Sequence, residues 1–228
     1  VILKCLATGS KANCYVLKRD NGEMLILDAG LPIAEIKKGI GFDIENIKGC
    51  LCSHIHADHS RAVKSLRTIG VPVWCPFEYE EKRQRTRLGE FAVECFDLPH
   101  NGVENRGFII VVDNQAICYI TDAEYSPYTF RSKLLDTLII ECNYMKDLVS
   151  EDLPNLQHKV LGHMELETTL GIIQGNLKTL KHVILVHMGQ GTLNREKAMQ
   201  RIREVVPEWI TVEWAKAGET YNLSDCPF

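Results

Sequence analysis

The sequence predicts an α/β (α+β) architecture of the αββα type: two mixed sheets flanked by helices, in one domain over residues 1–228. Three observations predict it. Short apolar runs with strand character recur along the chain. Stretches with helical period alternate with the later runs rather than the first ones. Several runs stop on a polar, metal-capable residue. Leu25-Ile26-Leu27 precedes Asp28, Phe96 to Pro99 precedes His100, Ile120-Thr121 precedes Asp122, and Val183 to Val186 precedes His187. The 228 residues, 45% hydrophobic and 25% charged, suffice for one large core and are too few for two comfortable domains.

In chain order, residues 2–6, 13–18 and 24–28 read as strands, with Asn21-Gly22 as the hairpin turn between the last two. Residues 48–53 read as a strand leading into a polar loop. Residues 60–69 read as a helix, with Ala62, Val63, Leu66 and Ile69 on one face. Strands follow at 71–75, 91–97, 107–113, 116–121, 137–141, 182–187 and 209–213. Residues 165–180 and 194–205 have helical period.

The formal charge of −4 excludes a molecule whose whole surface binds polyanions, so any nucleic-acid contact must be local. No run of 18 apolar residues occurs, which gives no ground for a membrane partner. Val1 to Leu6 reads as a strand rather than a signal peptide. The nine cysteines form no Cys-x-x-Cys pair and lie in apolar segments. They read as buried thiols of a reducing cytoplasm rather than a disulfide framework, and Cys50 and Cys52 read as core.

The densest chemistry lies in Ser53-His54-Ile55-His56-Ala57-Asp58-His59. Imidazole and carboxylate together suit zinc-like ions. His54 and His56 are two apart, so on an extended backbone they point the same way and can grip one ion. Asp58 and His59 follow as the chain turns and can face a second. Two neighbouring divalent ions can clamp an anionic substrate and activate water for hydrolysis.

This His-x-His-x-Asp-His pattern resembles the signature of the metallo-β-lactamase superfamily, and the resemblance extends over nearly the whole chain. It implies that Asp28, in Leu27-Asp28-Ala29-Gly30, braces the ligand geometry. It implies metal ligation by His54, His56, Asp58, His59, His100, Asp122 and His187. His54, His56 and His100 would serve one ion, Asp58, His59 and His187 the other, and Asp122 both. The cofactor expected is two divalent ions, zinc first, with manganese or iron also accepted by this ligand set. His163, in Gly162-His163-Met164-Glu165, is a rival to His187 for the ligand place. His187 ends a clean apolar strand and is preferred. In nuclease-like relatives a Gly-His segment here supplies a histidine near the scissile phosphate. The catalytic residues expected are therefore Asp58 or Asp122, to orient the nucleophile, and His163, to assist the leaving oxygen. His158 and His182 have no motif around them and read as surface residues.

The start, Ala7 to Tyr15, resembles the phosphodiesterase and nuclease-like branch of the superfamily, which includes tRNase Z relatives, cell-wall-operon exonucleases and phage anti-Pycsar enzymes. Thr121-Asp122 and Gly162 to Thr168 point the same way, the latter resembling prophage-associated hydrolases. The resemblance implies a nucleotide phosphodiesterase with a phage anti-defence role, and the acidic balance of the chain adds a slight lean to cyclic nucleotides over polynucleotides. Alternatives are a nuclease on DNA or RNA and a thioesterase or lactonase. It implies a homodimer, in a bacterial cytoplasm or in the host cytoplasm for a phage-encoded protein. Two departures stand out: Asn101 after His100, where the nucleases favour Asp, and Met188-Gly189-Gln190-Gly191 after His187, where Leu-Ser is usual. The run Lys82, Arg83, Arg85 and Arg87 is a candidate path for phosphates or nucleic acid. It also reads as a solvated helix or loop face balanced by Glu78, Glu80 and Glu81.

Overall fold

Apolar runs dictate the strands of the computed structural model, which describes residues 1–79, 84–150, 152 and 155–224. Their order is β1 (Ile2–Ala7), β2 (Cys14–Lys18), β3 (Met24–Leu27), α1 (Ile33–Gly39), β4 (Ile47–Leu51), α2 (Ala57–Ser60), α3 (Val63–Thr68) and β5 (Val73–Trp74). Then come β6 (Arg85–Leu88), β7 (Phe91–Leu98), β8 (Asn105–Val112), β9 (Gln115–Ile120), β10 (Thr137–Glu141) and α4 (Leu156–Gly162). The chain closes with α5 (Leu166–Asn176), β11 (His182–Val186), α6 (Arg195–Arg203), β12 (Thr211–Trp214) and β13 (Thr220–Asn222).

Two mixed sheets flanked by helices result, as the sequence predicts. One has the order β13-β1-β2-β3-β4-β5 and the other β12-β11-β10-β9-β8-β7-β6. In the first, β1, β2 and β3 pair antiparallel, while β3-β4 and β4-β5 are parallel. In the second, β9 through β12 are parallel and β6-β7 is antiparallel. The central parallel strands β3, β10 and β11 are almost wholly buried, since helices cover such sheets, whereas the edge strand β12 exposes Thr211 and Glu213.

The chain packs as two units, one from the described residues of Val1–Cys95, Ile110–Asn114 and Ala215–Phe228, the other from Phe96–Ile109 and Gln115–Trp214. The first unit's core joins Val16, Ile26 and Cys50 to Ile36 of α1 and to Val63 and Leu66 of α3. The second unit's core joins Leu138, Ile140, Val183 and Leu185 to helix residues Leu166, Leu170 and Ile173 of α5 and Ala198 and Ile202 of α6. Asn194 caps α6, its Oδ1 accepting the amides of Glu196 and Lys197 at 3.1 Å each.

Four differences from the sequence reading have local causes. The helix expected at 60–69 is two pieces, because the Ala62 amide leaves the helix ladder for the carbonyl of Ala29 at 2.8 Å. The helix expected at 165–180 ends at Asn176, whose side chain bonds back to the Ile172 carbonyl. α1, α4 and β13 were not expected; each is short, with one, one and one buried residue respectively, too few to print a period. Arg85 and Arg87 belong to an edge strand, β6, and not to a helix or loop face. Lys82, Arg83, Glu80 and Glu81 lie outside the described residues. Among the described residues no helix is long and apolar enough to cross a membrane.

Candidate metal centre

In the first unit, β4 runs into the loop that carries His54 and His56, and α2 carries Asp58 and His59. Asp28, at the end of β3, organises this loop. Its Oδ1 accepts the Ser53 amide at 2.8 Å. Its Oδ2 accepts the Ser53 hydroxyl at 3.0 Å and His59 Nδ1 at 2.8 Å. Asp28 and His59 are fully buried. With Nδ1 so held, His59 presents Nε2, which sits 2.9 Å from Asn13 Nδ2 and 3.3 Å from Asp58 Oδ2. His54 Nε2 and His56 Nδ1 approach to 3.1 Å. Cys52, read from sequence as core, is buried and also bonds through its thiol to the His54 carbonyl at 3.3 Å.

Backbone bonds lace the loop to the Asp28-Ala29-Gly30 turn. Ala29 N donates to His59 O at 2.7 Å, Gly30 N to Asn13 O at 2.9 Å, and Asn13 N to Asp58 O at 2.7 Å. A Cβ on Gly30 would collide with the Asp58 carbonyl oxygen, so only glycine allows this approach.

In the second unit, strand ends supply four groups. His100 follows β7, and its Nδ1 donates to the Gly162 carbonyl at 2.8 Å. Asp122 follows β9; the Asn105 side chain holds its carbonyl at 2.6 Å, and Thr121 Oγ1 donates to its Oδ1 at 2.7 Å. His187 follows β11. The fourth is Glu141, the last residue of β10, which the sequence reading did not single out. Thr137-Leu138-Ile139-Ile140-Glu141 carries the same signal as its neighbours, an apolar strand ending on a carboxylate.

Glu141 is fully buried. Its Oε1 accepts from His187 Nδ1 at 2.7 Å, His163 Nδ1 at 2.8 Å and Asn143 Nδ2 at 2.9 Å. Its Oε2 accepts the Ala123 amide at 3.1 Å and the Met164 amide at 3.3 Å. Burial opposes its charge, but His163 and His187 outweigh that and hold its carboxyl below the usual range. Burial likewise works against protonated His163, yet Glu141, and after it Asp122, raise its pKa above the ordinary value. The rings of His163 and His187 stack with centroids 5.0 Å apart. Asp122, Glu141, His163 and His187 offer donor atoms within 4.8 Å of one another.

Three of the chemistry-bearing strand ends have left-handed backbone: Asp28 (φ 57°), Asp122 (φ 48°) and His187 (φ 49°). Non-glycine residues hold such φ values where the surrounding structure imposes them, commonly at functional sites.

His158 is exposed, as the sequence reading expected, but it is no isolated surface residue. Its ring lies 5.9 Å from that of His100 and 5.5 Å from that of His163, and its Nδ1 is 3.2 Å from Asn101 Nδ2. His182 is half-buried at the start of β11. Arg85 pairs with Glu94 at 3.3 Å and Arg87 with Glu90 at 2.7 Å. The eight described cysteines are free and buried, and burial pushes the Cys5 thiol up to about 12. Cys226 lies outside the described residues.

These donors fit a divalent metal. His59 and His100 each give Nδ1–H to a protein oxygen, Asp28 Oδ2 and Gly162 O, which turns Nε2 outward as a ligand nitrogen. The sequence profile of the metallo-β-lactamase superfamily matches residues 7–150. The chain belongs to that superfamily. It is a metallo-β-lactamase-fold hydrolase whose His/Asp clusters suit divalent ions. It is 22% identical to the exodeoxyribonuclease YycJ of Bacillus anthracis, over 96% of this chain and 93% of that one. The metallo-β-lactamase-fold protein YhfI of Bacillus subtilis superposes with a TM-score of 0.73 at 18% identity, covering 96% of this chain and 98% of that chain. Human tRNase Z, short form, gives 0.63 at 15% identity, covering 98% and 100%.

Proposed function

We propose that this superfamily member is a dinuclear metal-dependent phosphodiesterase that cleaves nucleic acid, with residues 1–228 acting as one hydrolase domain. The ligands of this reading are His54, His56 and His100 for one ion, Asp58, His59 and His187 for the other, and Asp122 for both. Two bound divalent ions would supply Lewis acidity toward the phosphate and a water acidified toward neutral pH. The observation that carries the reading is the Glu141–His163 pair. Glu141 fixes the proton on His163 Nδ1, so His163 Nε2 is the atom that protonates the leaving oxygen. The His163 side chain is 11% exposed and that of His187 only 2%, which supports His163 as the acid and His187 as the ligand. Asp58, at 24% exposure, is the carboxylate open enough to orient the attacking water.

The choice of nucleic acid over a cyclic nucleotide departs from the lean of the sequence. It is supported by the exodeoxyribonuclease name of a relative aligned over nearly its whole length. A cyclic-nucleotide substrate, and with it an anti-defence role, is the second reading. It is favoured by the ion-paired state of Arg85 and Arg87, which leaves fewer cations for a long strand.

The test loads the protein with zinc or manganese and offers bis-p-nitrophenyl phosphate beside a thioester. Diester cleavage that stops on chelation is expected, and cleavage of the thioester alone would sink the proposal. Single-stranded DNA, duplex DNA, RNA and 3′,5′-cyclic nucleotides, compared by kcat/KM, then separate the two readings.

A further inference from the structure

Lys159 lies on α4, four residues before His163, and is half-buried. Its Nζ donates to Asn143 Oδ1 at 2.5 Å. Among the described residues no carboxylate lies within ion-pair distance of it. Glu141 is the acidic group of the adjoining network, and its oxygens are taken by His163, His187, Asn143 and two backbone amides. An ammonium partly withdrawn from water and held by a neutral amide favours an incoming anion.

The loop after His187 is shaped around this ammonium. Gly189 N donates to Asn143 O at 2.9 Å. A Cβ on Gly189 would lie 2.5 Å from Lys159 Nζ, Asn143 O and Thr192 Oγ1 alike. Glycine at 189 is what admits Lys159, and this gives the Met188-Gly189-Gln190-Gly191 departure a physical reason. Asn143 connects Lys159 to the network of the proton donor. Its Nδ2 bonds to Glu141 Oε1, which holds His163 Nδ1. Lys159 is thus linked to His163 through the hydrogen bonds of one amide and one carboxylate.

We propose that Lys159 binds a phosphate of the substrate next to the one that is cleaved. The proposal rests on the phosphodiesterase reading and deepens it. A nucleic-acid strand carries a second phosphate for this cation, whereas a cyclic mononucleotide has none.

The test compares Lys159→Ala and Lys159→Arg with the parent protein, all metal-loaded, on bis-p-nitrophenyl phosphate and on a 5′-phosphorylated DNA tetranucleotide. For Lys159→Ala the kcat/KM ratio of tetranucleotide to bis-p-nitrophenyl phosphate is expected to fall about tenfold or more, mostly through KM, with substantial recovery in Lys159→Arg. Equal losses on both substrates, or no loss on either, would overturn the anchor. Binding of a phosphorothioate tetranucleotide, read by fluorescence anisotropy, is a second arm independent of turnover. Weaker binding by Lys159→Ala supports the anchor and equal binding overturns it. If the parent protein cleaves no diester, the phosphodiesterase reading fails by itself, and the anisotropy arm still decides the anchor.

Discussion

The two units arrange their metal-capable residues by opposite means. The first collects His54, His56, Asp58 and His59 within six positions of one loop and stiffens them with a single buried carboxylate, Asp28. The second gathers His100, Asp122, Glu141, His163 and His187 from positions spread over 88 residues of the chain, each delivered by a different strand end or helix junction. A contiguous loop needs one organiser from elsewhere in the fold. A dispersed set needs the parallel strands β9, β10 and β11 in register, so its geometry depends on the packing of a whole sheet. Damage to the first set is expected to be local and damage to the second to spread.

The largest effect is expected at Asp122. Asp122→Ala should lower diester hydrolysis by roughly 10³-fold or more, since it removes a proposed shared ligand, with a matching drop in bound metal by elemental analysis. Full metal content with full activity would remove Asp122 from the site. His163→Ala should retain both ions and lose about 10²- to 10⁴-fold in kcat, the usual worth of a general acid. Metal loss in that variant would mean that His163 and His187 have exchanged roles.

Glu141→Gln should lose about 10²-fold in kcat through the His163 proton and weaken metal affinity by about 10–100-fold through His187, whose Nδ1 it also holds. The larger Glu141→Ala change strips an acceptor from His163, His187 and Asn143 together, and should lower the unfolding free energy by about 1–3 kcal/mol for each buried donor left unmet. A thermal melt equal to the parent's would contradict the sheet-wide dependence argued for the second unit. Asp28→Asn, in the first unit, should weaken metal affinity by about 10–100-fold and leave the rest of the chain intact. The smallest effect belongs to Arg85→Ala with Arg87→Ala, exposed ion pairs worth about 0–1 kcal/mol each. Nucleic-acid affinity should change little, and a marked loss of its salt dependence would restore the basic run as a binding path.

The same contrast explains what the sequence discloses. His54 to His59 is legible because these metal-capable residues are neighbours in the chain. His100, Asp122 and His187 are legible because each ends an apolar strand and because the superfamily pattern orders them. Glu141 ends a strand in the same way, but its partners, three side chains and the amides of Ala123 and Met164, are brought to it by the fold and leave no spacing to mark it. The interest of His158 and Lys159 depends on α4, whose seven residues bury only Gly162 and so print no period. The two sheets were predictable because most of their strands carry apolar runs, while the polar edge strand β6 was not. The breaks at Ala62 and Asn176 were not, because a single tertiary or side-chain bond decides each.

The left-handed backbone at Asp28, Asp122 and His187 has a bearing on how this protein evolves. Each conformation costs folding free energy, on the order of 1–3 kcal/mol, which glycine would recover. Glycine at 122 or 187 would relieve that strain but delete a proposed metal ligand and, at 187, a partner of the buried Glu141, so the gain in endurance would be small. Under the proposed ligand roles, Asp and His kept at these corners would mark selection for turnover rather than endurance, and their loss in a descendant would mark a fold retired from chemistry.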